Sequence, residues 1–341
     1  MKFKNILLST FFVSFLLNCK SKDEHIVKVS QRQIMVNNKS YTIKGVCYHP
    51  VPKGSPNKRS FSTLSKDILL MKEAGINTIR VYAPIEEEEV LNELASNDIK
   101  VIIGFGYDQD GHFDIASGTF IDYVKKYKNH KAILLWELGN EYNYHPEWFN
   151  GDVKNWYKAM NEAAGLIHQN DPNHPVTTAH GDLPDSVAFQ LSPNIDVWGL
   201  NVYRWDKPGT IYKEWEAIST KPMYLSEAGG DSYMTIERNG YQKGENQRAQ
   251  ADANANILKE IFENNHIGSG VTLFSFTDGW WKAGNYDKQD PGGWAPNSSG
   301  VPYDGSPNEE YWGIVDIDRN KKITFDVVKK AFISKEQFKE P

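Results

Sequence analysis

Apolar residues are distributed along this chain in two alternating patterns. Eight short runs have the length and the β-branched or aromatic content typical of strands, at residues 42–48, 78–83, 101–106, 133–138, 176–179, 197–203, 223–226 and 271–276. Longer stretches with apolar residues at helical spacing lie between them, at residues 64–75, 85–97, 119–127, 153–169 and 246–264. Strands that alternate with helices pair in parallel through right-handed crossovers. The pattern therefore predicts a single-domain α/β fold, a closed (β/α)8 TIM barrel.

The region before the first barrel strand has a different pattern. Residues 26–41 predict a short β-hairpin, with Asn37-Asn38 as its turn. The barrel domain is predicted to occupy residues 26–341. The sequence contains no GxGxxG or P-loop motif, which argues against a doubly wound, nucleotide-binding sheet.

The first 25 residues resemble a targeting segment. A basic start precedes an apolar stretch at residues 6–17, which is too short to span a bilayer comfortably, and Cys19 follows closely. Residues 1–19 resemble a bacterial lipoprotein signal peptide with Cys19 as its lipidation site, and residues 20–25 a tether. We expect a protein anchored by lipid at the outer membrane or cell surface of a bacterium. The alternative is a plain signal peptide with an incidental cysteine.

Composition limits the partners of the protein. The formal net charge of -6 provides no basic footprint for nucleic acid, so no nucleic-acid partner is expected. Ten Trp and seventeen Tyr are present, many in loop-like segments. Exposed aromatic rings suit ligands with apolar faces such as sugars, although most Trp side chains in any fold belong to the core.

Two glutamates carry the strongest chemical signal. Glu141 follows the fourth predicted strand and Glu227 follows the seventh, at the strand ends where barrel enzymes place their functional groups. A carboxylate beside an apolar strand is costly to bury unless something uses or satisfies it. One general acid/base and one nucleophile are what a double-displacement glycosidase requires. The alternative is that strand ends face solvent and therefore tolerate a glutamate.

The surrounding residues resemble the retaining glycoside hydrolases of clan A. In that clan the acid/base follows an Asn at the end of strand four, as in Gly139-Asn140-Glu141, and the nucleophile ends strand seven, as in Leu225-Ser226-Glu227. The resemblance covers about residues 42–318. It implies a β-glycosidase with Glu141 as acid/base and Glu227 as nucleophile, without a cofactor or a metal. Residues 108–112 are accordingly interpreted as a polar loop and not as a metal site.

The resemblance also implies further site residues. Arg80 would support the nucleophile, with a structural ion pair inside the barrel as the alternative. Asn140 would bind the sugar 2-hydroxyl, and Tyr203 would hold the nucleophile. The remaining candidates for substrate binding are Trp280 or Trp281 as the sugar platform and, by a looser match, His180 near the acid/base.

The substrate is predicted from two resemblances. The pattern from residue 44 through residues 77–82 to Glu141 resembles β-1,3-glucan hydrolases and glucanosyltransferases, and also the barrel domain of glycoside hydrolase family 2. The β-sandwich domains that flank that barrel in family 2 are missing, which favours a stand-alone enzyme acting on β-linked polysaccharide or oligosaccharide, with a β-1,3-glucan preferred. A β-glucan transglycosylase with the same residues stays open. A non-catalytic glycan-binding lipoprotein also stays open, although the presence of both glutamates argues against it.

Overall fold

The structure is a computed structural model that describes residues 25–108, 112–291 and 302–333. Its strands are, in chain order, β1 (Val27–Ser30), β2 (Gln33–Val36), β3 (Lys39–Tyr41), β4 (Ile43–Cys47), β5 (Thr78–Val81), β6 (Lys100–Phe105), β7 (Ile133–Asn140), β8 (Val176–Gly181), β9 (Val197–Asn201), β10 (Met223–Glu227), β11 (Tyr233–Met234), β12 (Gly244–Glu245) and β13 (Gly268–Leu273). Its α-helices are α1 (Leu64–Ala74), α2 (Glu88–Ser96), α3 (Phe120–Tyr127), α4 (Val153–Asn170), α5 (Ser186–Leu191), α6 (Thr210–Ile218), α7 (Gln247–Glu263) and α8 (Ile323–Ile333).

Eight parallel strands form a closed barrel in the order β4-β5-β6-β7-β8-β9-β10-β13, and β13 pairs with β4 to complete the ring. All eight correspond to the strands predicted from the sequence, so the (β/α)8 prediction is confirmed. Most of their residues are buried, because the barrel interior covers one face and the helices cover the other.

The helix ring contains more helices than the periodicity predicted. The five predicted helices are present, and α5, α6 and α8 were missed. The six residues of α5 are too few for a periodic signal, and α8 follows the long segment after the last barrel strand. Helix α8 packs between α7 and α1: the rings of Phe262 and Phe332 lie 5.9 Å apart, and a Cβ placed at Gly75 would lie 2.8 Å from Ile333 Cγ1.

A small antiparallel sheet covers the N-terminal end of the barrel. The predicted hairpin is present as β2 and β3, with Asn37 and Asn38 in its turn at φ 50° and 63°, and β1 pairs with β2 to extend it to three strands. Val27 and Ile34 of this sheet share a buried cluster with barrel residues such as Ile43. A cavity that Glu141 and Glu227 line lies at the opposite, C-terminal end of the barrel strands.

The targeting predictions fall mostly outside the described residues. The signal peptide, the lipidation site Cys19 and residues 20–24 of the tether belong to that part of the chain. His25, the last residue of the predicted tether, is buried, and its Nε2 lies 2.8 Å from the carbonyl oxygen of Ile133, so this residue belongs to the folded domain. Among the described helices, none combines the length and the apolar character needed to cross a membrane.

Candidate active site

A cavity of about 1010 Å³ opens at the C-terminal ends of the barrel strands. Glu141 and Glu227 both line it. Of the other residues predicted for the site, three also line it, namely Asn140, Tyr203 and Trp281. The barrel therefore brings two carboxyl groups, an amide, a phenol and an indole from four separate stretches of sequence to one place.

The Glu227 carboxylate is held by three hydrogen-bond donors. Arg80 Nη1 lies 2.8 Å and Tyr82 Oη lies 2.7 Å from Oε1, and Tyr203 Oη lies 2.8 Å from Oε2. The residue is only 6% exposed. Three donors on a buried carboxylate stabilise its negative charge and fix its orientation.

Arg80 bridges two buried carboxylates. Its side chain is fully buried, and its Nε also donates to Glu137, at 3.0 Å from Oε1 and 2.8 Å from Oε2. Tyr224 donates to the same carboxylate from the other side, at 3.1 Å. Burial raises the pKa of Glu137, and the charge of Arg80 opposes that rise. The two interpretations of Arg80 are thus compatible, because one guanidinium makes an internal ion pair and also holds Glu227.

Glu141 lies in an unusual backbone conformation just beyond β7. Its φ is 55°, and its N–H donates to the carbonyl oxygen of Ala179 at 2.8 Å. The preceding Gly139 has a φ of 69°, and a Cβ there would lie 2.5 Å from a ring atom of Trp156, so only glycine fits. Burial and then the charge of Glu227 raise the pKa of Glu141 to about 7, while a hydrogen bond with Asn201 lowers it.

Two asparagine amides, those of Asn140 and Asn201, are hydrogen-bonded to each other at the cavity that both residues line. The Oδ1 of Asn140 accepts from Arg80 Nη2 at 2.7 Å and from Asn201 Nδ2 at 3.1 Å. Asn201 Oδ1 in turn accepts from Ser226 Oγ at 2.7 Å. These contacts fix the orientation of the Asn140 amide, because its oxygen is engaged by two donors. Its Nδ2 is then the group that can donate to a ligand in the cavity that Asn140 lines.

Of the three remaining predicted site residues, only Trp281 lines the cavity, whereas Trp280 and His180 do not. Trp281 lines the cavity, where its ring lies 5.1 Å from that of His49. Trp280 is not among the lining residues, and Lys53 Nζ lies 4.6 Å from its ring centroid. His180 is buried behind the cavity wall, 3.1 Å from Tyr157 Oη and 3.0 Å from the carbonyl oxygen of Asp182.

Sequence reasoning missed several cavity residues. Tyr82, which holds Glu227, lies two positions after Arg80 and directly follows β5; the sequence marks it as a strand-end residue, but its contact with Glu227 was not predicted. Trp312 lines the cavity and packs edge-on against Tyr203 at 5.4 Å. Lys282 and Glu309 also line the cavity and form an ion pair. No periodic signal marks these last three residues, because they lie in the irregular segment after β13.

Two other kinds of chemistry would involve the Cys47 thiol or a bound metal ion. Burial raises the pKa of the Cys47 thiol to about 12, so this residue is a protonated filler in the cavity wall and not a nucleophile. Within residues 25–108, 112–291 and 302–333, no group of three or more His, Cys, Asp or Glu is arranged to hold a metal ion.

Comparison with known proteins connects this barrel to glycosidases. Residues 27–102 match the family described as glycosyl hydrolases family 2, TIM barrel domain. The chain is 26% identical over 246 residues to a β-glucuronidase of Sus scrofa, covering 64% of this chain and 36% of that protein. It is 23% identical over 216 residues to a β-galactosidase of Pseudoalteromonas haloplanktis, covering 59% of this chain and 20% of that one.

Solved structures extend the similarity of the fold. A family 2 β-galacturonidase from Eisenbergiella tayi bound to galacturonate matches with a TM-score of 0.65 and 21% identity, covering 90% of this chain and 54% of that chain. The chain spans about a third of the length of the β-glucuronidase of Sus scrofa. Residues 27–102 are thus similar to the barrel domain of family 2 glycosyl hydrolases, and the solved structure has the same fold. The relatives named here are glucuronidases, galacturonidases and galactosidases, so the resemblance to β-1,3-glucanases stays a prediction.

Proposed function

We propose that this protein is a retaining β-glycosidase that cleaves O-glycosyl bonds by double displacement. The observation that carries the proposal is the contrast between two carboxyl groups in one cavity. Glu227 accepts three hydrogen bonds that stabilise its charge, whereas burial and the charge of Glu227 raise the pKa of Glu141 to about 7. Two carboxyl groups with opposed environments are the arrangement of a nucleophile and a general acid. We expect them to lie about 5–5.5 Å apart, as retention requires.

In the first step, Glu227 attacks the anomeric carbon while the bond to the leaving oxygen breaks. Glu141 transfers its proton to that oxygen, and a covalent glycosyl ester forms on Glu227. Arg80, Tyr82 and Tyr203 hold the attacking carboxylate in position. Asn140 Nδ2 is placed to donate to the sugar 2-hydroxyl, a contact that strengthens in the transition state.

In the second step, water or another acceptor attacks the anomeric carbon and displaces the Glu227 carboxylate from the glycosyl ester. Formation of the ester removes the charge of Glu227, which is the second-largest cause of the raised pKa of Glu141. Glu141 then holds its proton less tightly and is suited to act as the general base. It takes the proton of the acceptor as the acceptor oxygen bonds to the anomeric carbon, and the Glu227 carboxylate leaves.

We also propose that the bound sugar is uncharged. Lys282 is the only Lys or Arg among the described residues that line the cavity, and it is already paired with Glu309. In the sequence, residues 292–301 contain no Lys or Arg. A uronate would bring a further negative charge towards Glu227 and Asp182, which also lines the cavity. This charge balance favours a neutral sugar over the uronic acids named for several relatives, and it is compatible with a β-glucan, β-1,3-linked by preference.

A substrate panel tests the choice of sugar. We expect activity on β-1,3-glucan oligosaccharides and on 4-nitrophenyl β-glucoside, and at least a hundredfold lower kcat/KM on 4-nitrophenyl β-glucuronide. Glu309→Gln would leave Lys282 without its carboxylate partner and should reduce the difference in kcat/KM between the glucoside and the glucuronide. Preferential cleavage of the glucuronide by the unmodified protein would contradict the proposal of a neutral sugar, and inactivity on all β-glucans would contradict the proposed substrate.

A trapping experiment tests the mechanism. An activated 2-deoxy-2-fluoro-β-glucoside should inactivate the enzyme and leave a single glycosyl adduct on the peptide that contains Glu227. Proton NMR of the first product should show the β-anomer before mutarotation. An adduct on another residue, or an initial α-anomer, would show that the assigned mechanism is wrong.

The N-terminal segment supports a separate proposal about location. The apolar stretch at residues 6–17, followed closely by Cys19, suits lipid attachment, and several acyl chains on one terminus would anchor the barrel firmly. Cys19→Ser should move activity from the membrane fraction to the soluble fraction, or block processing. An unmodified Cys19 in the native protein would refute the proposal.

A further inference from the structure

An exposed aromatic ring lies on the cavity wall beside Glu141. Tyr144 is 56% exposed, yet it lines the cavity. It ends the 3-10 helix Tyr142–Tyr144, which begins directly after Glu141, and its N–H donates to the carbonyl oxygen of Glu141 at 2.9 Å. One tight turn therefore fixes the position of this ring relative to the general acid.

The exposed ring is held in place from behind. The Asn143 side chain clamps this turn to the end of β8, because its Nδ2 donates to the carbonyl oxygen of Gly181 at 3.1 Å and its Oδ1 accepts from the N–H of Gly181 at 2.8 Å. Tyr144 fills the space that a side chain at position 181 would need, since a Cβ there would lie 2.1 Å from its Cε2. An exposed side chain that is already ordered loses little entropy when a ligand binds.

A carboxylate lies beside the ring. Asp182 follows Gly181 directly and lines the same cavity. Its Oδ2 accepts from Arg204 Nε at 2.9 Å, and Arg204 also pairs with Glu214, so the carboxylate has a fixed orientation. Partial burial, then the charges of Glu141 and Asp182, raise the pKa of Tyr144 to about 12, which keeps its phenol protonated. The cavity wall thus presents an apolar ring face and a hydroxyl acceptor side by side.

We propose that Tyr144 and Asp182 bind the sugar on the leaving-group side of the scissile bond, a neutral pyranose within an oligosaccharide or polysaccharide. The proposal rests on the function proposed above. A general acid must reach the leaving oxygen, so the leaving group lies next to Glu141. There the ring of Tyr144 can stack on the C–H face of a pyranose, and Asp182 can accept a hydrogen bond from one of its hydroxyl groups.

The same site would also hold the acceptor in the second step. A sugar bound there presents a hydroxyl to the glycosyl ester on Glu227. Its oxygen bonds to the anomeric carbon, Glu141 takes its proton, and the ester bond breaks to return the Glu227 carboxylate. Loss of the Tyr144 ring should therefore also lower the ratio of sugar transfer to hydrolysis, because water does not need the platform.

Two substrates distinguish binding of the leaving-group sugar from an effect on the catalytic step itself. β-1,3-Linked glucotetraose fills the leaving-group side, whereas β-glucosyl fluoride has a leaving group too small to reach the ring. Tyr144→Ala should lower kcat/KM on glucotetraose by about tenfold and leave the value for the fluoride within about twofold. Tyr144→Phe should restore most of the activity on glucotetraose, because the ring face is kept. Asp182→Asn should show the same dependence on substrate with a smaller loss.

Controls distinguish the possible failures. Tyr286→Ala removes another partly exposed tyrosine, which is not among the lining residues, and should alter neither substrate. If Tyr144→Ala lowers kcat/KM equally on both substrates, the ring supports Glu141 and the inference is wrong. The inference is also wrong if Tyr144→Ala leaves kcat/KM on glucotetraose unchanged. If the unmodified enzyme cleaves the fluoride but not glucotetraose, the inference also fails. If it cleaves neither, the proposed function itself fails.

Discussion

The protonation of Glu141 provides the sharpest test of how this cavity operates. Its pKa of about 7 compares with an ordinary value of 4.5. At pH 6 a group with a pKa of 7 is about nine-tenths protonated, whereas one with a pKa of 4.5 is about 3% protonated. We therefore expect kcat/KM to fall as the pH rises through about 7, because the free enzyme then loses its general acid.

Removing the charge of Glu227 separates the two main causes of this shift. Two charges about 5.5 Å apart, at an effective dielectric constant of about 20–80, interact by about 0.8–3 kcal/mol, which is about 0.5–2 pKa units. Burial is the largest cause of the raised pKa of Glu141, and the charge of Glu227 is the second. Glu227→Gln should consequently lower the pKa of Glu141 by about one unit and leave it above 4.5.

Carbon-13 NMR of glutamate-labelled protein measures this pKa directly, with the signal assigned by its loss in Glu141→Gln. Glu309→Gln is the matched control, because the charge of Glu309 is the smallest of the causes named for the raised pKa of Glu141 and should shift it less. A wild-type signal that titrates near 4.5 would refute the assignment of Glu141 as a buried acid. A pKa that is unchanged in Glu227→Gln would show that the two carboxyl groups are not coupled.

Three further predictions follow from the same contacts. Glu227→Gln should abolish turnover because an amide cannot form the glycosyl ester, whereas azide should partly rescue Glu141→Ala on substrates with good leaving groups, and equal rescue of both would show that the roles are misassigned. Glu137→Ala should lower the free energy of unfolding in urea by about 3–5 kcal/mol, because the Nε of the buried Arg80 loses its partner, and a loss below about 1 kcal/mol would contradict this account. The folded-state pKa of Glu141 lies above its ordinary value, so the wild type should lose stability as the pH rises from about 4.5 to 7. The free energy of unfolding of Glu141→Gln should therefore exceed that of the wild type by about 1–3 kcal/mol at pH 8, and by less at pH 5.

The barrel could be predicted because its strands are buried on both faces and therefore appear as short, nearly continuous apolar runs. Eight such runs define both the fold and the strand ends, which is why Glu141 and Glu227 could be assigned to one place. Trp312 and the pair of Lys282 with Glu309 depend on the path of an irregular segment, which no periodicity describes.

The ion pair of Glu137 with Arg80 could not be predicted from the sequence for a different reason. It lies within an apolar run of β7, four residues before Glu141, and is 1% exposed. A carboxylate there is stable only beside a buried cation. Its partner Arg80 lies 57 residues away in the sequence, on β5, so the pair can be recognised only in the folded barrel. Because Arg80 also holds Glu227, this buried charge links the stability of the barrel interior to the position of the proposed nucleophile. A glutamate inside an apolar strand, in a chain in which an arginine and a second glutamate lie near the ends of other strands, therefore indicates a charge network that extends from the core to the proposed nucleophile.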